Sequence, residues 1–314
     1  DAGQAARGLG LETRVARCSQ CGASVAYDGR ATASECVFCG SPQVLEQLQN
    51  RNALRPESLV PLDVGREHVE QAFRGWIRGL WFRPTALQQL REFRAVGVYV
   101  PFWTFDALVY SRWSAEAGHY YYVEEEYTVQ GGPGQTERRT KRTQQVRWQP
   151  ASGDRRDRYD DVLVCGSRGL PSELAQKLRT FDTKRLVPYS PGFLAGWRAE
   201  EYGVELSDGF GLAQQFMEAS QRGRCSRDVP GDTQRNLSVR STFSDVTFKL
   251  VLLPVWIAAY RYHGNVYRFL VNGQTGEVTG KAPWSAWKVT LFVLFCAAVL
   301  AVIIYFLSQA GPPE

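Results

Sequence analysis

The sequence predicts an α+β chain with a small N-terminal metal-binding module and a C-terminal transmembrane helix. Three observations predict it: paired CxxC turns near the start, alternating stretches of strand-like and helix-like patterning through the middle, and a long uncharged apolar run near the end. The composition of the 314 residues, 44% hydrophobic and 22% charged, is that of a folded protein, which argues against disorder and against a multi-span membrane protein. A net charge of +5 is mild and favours anionic headgroups or acidic partners.

The first element is Cys18-Ser-Gln-Cys21-Gly22, followed by Cys36-Val-Phe-Cys39-Gly40, with fourteen residues between Cys21 and Cys36. Two such turns present four soft sulfur donors, the set a tetrahedral structural zinc requires, and the arm between them fits a hairpin. The glycines after Cys21 and Cys39 allow positive φ, so that backbone N–H groups face the sulfurs. The reading is a zinc ribbon over residues 14–41 with Cys18, Cys21, Cys36 and Cys39 holding one zinc ion. Four thiolates leave no coordination position for a catalytic water. Zinc binding is expected to supply folding free energy on the order of 10 kcal/mol. The remaining cysteines, Cys165, Cys225 and Cys296, are scattered, a distribution that fits thiols in a reducing compartment better than a disulfide framework.

Residues 42–57 read as a linker with a helical turn around Leu45–Leu48, followed by an α+β domain over 58–283. Within it, Leu59–Val64 reads as a strand. Glu67–Trp81 reads as a helix, with Val69, Phe73, Ile77 and Trp81 four apart, and Thr85–Phe93 as a second short helix. Gly97–Trp113, Tyr120–Val129, Arg138–Trp148 and Asp160–Val164 read as strands, the middle two forming a hairpin around Gly131–Gly134. Ser172–Phe181, Gly192–Glu201 and Phe210–Gln221 read as helices, with a polar loop from Gly223 to Arg235. Strands at Val239–Phe248, Lys249–Tyr262, Val266–Val271 and Glu277–Thr279 complete a domain expected to contain antiparallel sheets. Val98-Tyr-Val-Pro101-Phe-Trp103 and Val251-Leu-Leu-Pro254-Val-Trp256 share a hydrophobic strand with proline two residues before tryptophan, which fits either two core tryptophans or two related halves, about 58–165 and 166–283.

Residues 287–307 carry no charge after Lys288, and the 19 uncharged residues of that run extend roughly 28 Å as a helix, close to the thickness of a bilayer core. Trp284, Trp287 and Tyr305 fall at interfacial positions. Lys281 and Lys288 lie before the run and no basic residue lies in the tail, 308–314, so the positive-inside rule places the large N-terminal part in the cytoplasm and the tail outside.

Other motifs point to chemistry less well. Gly276-Glu-Val-Thr-Gly280-Lys281-Ala282 has one residue too few for a phosphate loop and lacks its Ser or Thr. Cys165-Gly-Ser167-Arg-Gly169, with Asp208 and His263 later, has the chain order of a hydrolase triad but lacks the first glycine of the elbow. His68, His119 and His263 form no helical metal pair, and Glu124–Glu126 alternates faces on a strand. Arg138–Arg142 and Arg155–Arg158 are basic segments that suit nucleic acid, lipid phosphate or an acidic protein surface.

The ribbon, the Tyr99-Val-Pro101-Phe102-Trp103-Thr-Phe105-Asp106 stretch, Leu252-Leu253-Pro254-Val255-Trp256 and Val271-Asn272-Gly273-Gln274-Thr275-Gly276-Glu277-Val278-Thr279-Gly280 together resemble a bacterial family of zinc-ribbon, single-pass membrane proteins often mislabelled as primosomal or replication-restart helicase-like. The helicase label does not fit, since the chain has no Walker loop. The resemblance implies an anchor in the bacterial cytoplasmic membrane that works with an SPFH-domain (flotillin-like) partner and phage-shock-type envelope-stress proteins. The expected function is therefore a non-enzymatic membrane adaptor. A membrane-tethered nucleic-acid-binding protein using the ribbon and the basic hairpin is the alternative.

Overall fold

The computed structural model describes residues 8–9, 14–27, 35–47, 53–84, 95–132, 135–178, 180–194, 196–262 and 265–309. It is a mixed α+β protein with a large mixed sheet and a C-terminal apolar helix. Three short strands open the chain, β1 (Arg14–Cys18), β2 (Ser24–Tyr27) and β3 (Val44–Gln47), followed by β4 (Ser58–Leu59) and helix α1 (Arg66–Gly79). Two long strands, β5 (Ala95–Gly132) and β6 (Gln135–Cys165), precede α2 (Ser172–Lys177), β7 (Val187–Pro188) and β8 (Arg198–Glu201). Then come α3 (Leu206–Asp228), β9 (Thr233–Tyr262), β10 (Asn265–Asn272), β11 (Val278–Gly280) and α4 (Ala286–Gln309). The strands hydrogen-bond in the order β11-β10-β9-β5-β8-β2-β1-β3, with β4 between β7 and β9, and β6 on β5. Antiparallel pairing was expected throughout, but β4 lies parallel to β9 and β8 parallel to β5.

The chain folds as two compact units interleaved in sequence. The first comprises residues 1–103, 164–205 and 249–314, and the second 104–163 and 206–248. In the second unit, Trp113, Ala115 and Cys225 form a small core with Ala151, Val229, Leu237 and Val239 around it. Asp157 fixes α3 there: it accepts from Arg155, from Gln221 Nε2 at 3.0 Å and from Arg224 Nη1 at 2.7 Å, and Arg155 also forks onto Asp228. Burial pushes the Asp157 carboxyl up, but these donors outweigh it and leave it below the usual carboxylate range.

The first unit contains one arrangement twice. Ser58 and Leu59 of β4 lie opposite Val251 and Leu252, while Arg198 and Ala199 of β8 lie opposite Val98 and Tyr99. Further along each long strand, the carbonyl of proline accepts the N–H of a glycine: Pro101 from Gly166 and Pro254 from Gly273, both at 2.8 Å. A Cβ at either glycine would stand 3.1 Å or 2.7 Å from that proline oxygen, which is why glycine occupies both places. The Gly166 carbonyl accepts from Gly203 and Val204, and the Gly273 carbonyl from Asp63 and Val64. Trp103 Nε1 donates to Val204 O at 2.9 Å, and Trp256 Nε1 to Val64 O at 2.8 Å. A helix starts two residues beyond each valine, α3 at Leu206 and α1 at Arg66. In both copies the helix-leading segment and the Pro-x-Trp strand come from different halves of the domain.

Several elements differ from expectation, for identifiable reasons. Residues 44–47, read as a helical turn in a linker, are the strand β3, because β1 offers it a partner edge from Val15 to Cys18. In α1, Val69, Phe73 and Ile77 are buried, but the helix stops at Gly79 and leaves Trp81 77% exposed. The four strands read between Gly97 and Val164 are two, β5 and β6, and those read at Val239–Phe248 and Lys249–Tyr262 are one, β9. Ser172–Phe181 shortens to α2. Gly192–Glu201, read as a helix, is a 3-10 turn at Pro191–Leu194 followed by β8, drawn into strand by β5 on one side and β2 on the other. The loop expected at Gly223–Arg235 shrinks to residues 229–232, between the end of α3 and the start of β9. Thr85–Phe93, the hairpin tip at Pro133-Gly134 and the tail from Ala310 lie outside the described residues.

Candidate metal centre

The two CxxC segments make matching turns. Gly22 N–H bonds Cys18 O at 2.9 Å and Gly40 N–H bonds Cys36 O at 2.7 Å, with φ of +79° and +67° at the glycines. These turns bring the four sulfurs within 4.8 Å of one another, with Cys18–Cys39 and Cys21–Cys36 each at 3.6 Å. That spacing is far too long for disulfides, and all four cysteines are free. It is close to the edge of about 3.8 Å that four sulfurs about 2.3 Å from a central ion would have. The cluster can thus hold a metal ion. Three of its cysteines are buried and Cys21 is partly open. The Cys36 thiol, hydrogen-bonded by Cys21 and by the N–H groups of Phe38 and Cys39, falls to about 5, whereas burial pushes Cys39 up to about 11.

The cluster is built into the first unit. Strand β2 pairs with β8, with Ser24 opposite Glu201 and Ala26 opposite Ala199, the place that β7 fills on β4. Val15 and Ala26 share a core with Leu59, Tyr99, Ala199 and Leu252. Phe38, between the second pair of cysteines, is fully buried and leaves no room for a Cβ on Gly169.

Beneath it lies a site the sequence reading missed. Glu200 is 1% exposed, and its Oε1 accepts from Ser167 Oγ at 2.8 Å while Ser167 Oγ accepts from Gly169 N–H at 3.0 Å and Leu170 N–H at 3.2 Å. Oε2 of Glu200 is buried without a partner among the described residues. Burial raises this carboxyl to about 8, against the opposing pull of Ser167 and the Gly169 N–H. Ser167 is therefore held by Glu200, and His263, its expected triad partner, lies outside the described residues. The only sequence signal for Glu200 was its acidity inside a segment that patterns as helix.

Other singled-out residues have structural partners. Asn272 Oδ1 accepts from Gln274 and Thr275 N–H, while Gln274 exchanges hydrogen bonds with the backbone of Asp182, so the Asn-Gly-Gln-Thr-Gly motif is a turn clamped to a neighbouring loop. Lys281 pairs with Glu173. His68, His119 and Glu124–Glu126 are exposed. Arg142 lies 4.1 Å over the Tyr122 ring and Arg147 5.4 Å over Tyr121. In the second unit, Asp106, Asp160 and Asp161 bring carboxylate oxygens within 4.8 Å of one another, a grouping spread too widely in sequence to be read there. Asp106 uses both oxygens locally, accepting from Asp161 N–H at 2.8 Å and Thr247 Oγ1 at 2.9 Å.

Helix α4 is long and apolar enough to span a membrane from Ala286 to Phe306, and its residues 290–306 are all exposed. The chain is similar to YdjG, an uncharacterized protein of Bacillus subtilis (strain 168), at 29% identity over 87% of this chain and 91% of that protein. No family model and no solved structure matches the chain.

Proposed function

We propose that the chain is a non-enzymatic adaptor fixed to the cytoplasmic face of the bacterial cytoplasmic membrane by α4, with one structural zinc in a ribbon made of Cys18, Cys21, Cys36 and Cys39. The observation that carries the reading is α4, a 21-residue span from Ala286 to Phe306 whose apolar stretch contains no buried residue. Left in water, such a helix would expose an apolar area no soluble monomer tolerates; in a bilayer its backbone is satisfied and its side chains are solvated. Zinc is favoured by four thiolates in a closed tetrahedral set, and a closed set supports folding rather than water activation. Lys281 before the helix and Lys288 in its first turn support the orientation.

The docking edge in this reading is β3, the last strand in the sheet order, where Leu45 is 64% exposed. An open strand edge accepts an added strand from a partner, with backbone hydrogen bonds giving affinity and side chains specificity. The partner class is an SPFH-domain or phage-shock-type protein, on the resemblance. The test is purification from native membranes in mild detergent, comparing wild type with Leu45→Asp at equal zinc content. Loss of such a partner with the variant supports the adaptor. Recovery of nuclease-sensitive nucleic acid alone, released steeply by salt, replaces it with the nucleic-acid reading.

A further inference from the structure

The segment after α1 is built onto the start of α4. Ser285 N–H donates to Phe82 O at 2.8 Å, Lys288 Nζ to Arg83 O at 2.8 Å, and Arg83 Nη1 to Ala282 O at 2.5 Å. The Arg83 guanidinium lies 4.0 Å over the Trp284 ring. The Phe82 ring meets Phe292 edge-on at 5.1 Å and Trp284 at 6.2 Å. Phe292 is six residues into α4, about 9 Å along its axis, so a bilayer that takes up Ala286–Phe306 takes up Phe292 and the ring beside it. The span has no slack to avoid this: its 21 residues extend roughly 31 Å, against a core of about 30 Å.

We propose that the Leu80–Arg83 turn is a second membrane contact, with Phe82 at the edge of the hydrocarbon and Trp81 among anionic phospholipid headgroups of the bilayer that α4 crosses. The proposal rests on the reading of α4 as a span. Two further observations fit it. Trp81, Trp284 and Trp287 are 77%, 67% and 62% exposed, and indoles so placed are costly in water but suited to the headgroup layer. Arg78 in the last turn of α1, Arg83 and Lys288 are cationic and complement acidic lipids, while Lys281 beside them is paired with Glu173. The chain then grips the membrane at points some 200 residues apart in sequence, and this face of the first unit cannot swing away from the bilayer.

The test uses the full chain in phosphatidylcholine–phosphatidylglycerol vesicles, with the photocrosslinking residue p-benzoylphenylalanine replacing Trp81, Phe292 or Leu45 in turn, and mass spectrometry of lipid adducts alongside extraction by alkaline carbonate. The expected result is carbonate-resistant protein with lipid adducts at 81 and 292 and background at 45. Carbonate-resistant protein with adducts at 292 but only background at 81 overturns the second contact while leaving the span intact. Adducts at 45 equal to those at 81 overturn it as well. Extraction by carbonate with no adduct at 292 removes the span and the second contact together.

Discussion

Glu200 carries a titratable group into the core of the first unit, and its effect on stability has a definite sign. Its carboxyl is raised to about 8 by burial, so between the unfolded carboxylate range and pH 8 the unfolded chain has lost a proton that the folded chain still holds. Stability is whole below the unfolded pKa and is lost as pH rises through that window, by at most about 1.4 kcal/mol per pH unit. Glu200→Gln removes the titration but keeps an acceptor for Ser167. Its stability relative to wild type, measured by urea unfolding, is expected to improve steadily from pH 5 to pH 8; a constant difference across that range contradicts the assignment. The two tryptophans make a second test at this scale. Trp103 and Trp256 each donate to a valine carbonyl and are 0% and 5% exposed, so each change to Phe is expected to cost about 1–3 kcal/mol in unfolding experiments. A cost at one site and none at the other would show that the two copies are not equivalent.

At the scale of elements, the cysteine cluster is coupled to the sheet behind it through β2 and β8. Removing the metal with a chelator is expected to raise amide hydrogen exchange not only in β1 and β2 but also at Arg198–Glu201, since β8 loses the strand on that edge. Unchanged protection in β8 would mean that the N-terminal module folds by itself. Much at this scale was legible in the sequence. The CxxC pairs mark their own cluster because the spacing and glycines are local, and α1 shows its buried stripe through Val69, Phe73 and Ile77. The repeated Pro-x-Trp is visible because proline and tryptophan are rare and both copies lie within single strands. Other elements were hidden because long-range partners decide them. Residues 198–201 become strand through β5 and β2, and 44–47 through β1, whereas their own composition, Val44 apart, does not favour a strand. The Ser167–Glu200 pair joins residues 33 apart, which no local pattern records.

Over the whole molecule, the sequence does not deliver its parts in order. Segments near 58 and 198 each complete a strand–helix junction on the Pro-x-Trp strand of the other half, so neither half of the first unit is complete without its counterpart. Such reciprocal closure suits a platform that holds the strand edge with the cysteine cluster at one place and helix α4 at another. The anchor is the claim on which the rest depends, and the direct measurement compares membrane fractions of the full chain with those of a chain ending at Ser285. The account predicts that the full chain resists alkaline carbonate, while the shortened chain is extracted and keeps one zinc per molecule. A shortened chain that stays carbonate-resistant, or a full chain that is extracted, would contradict it.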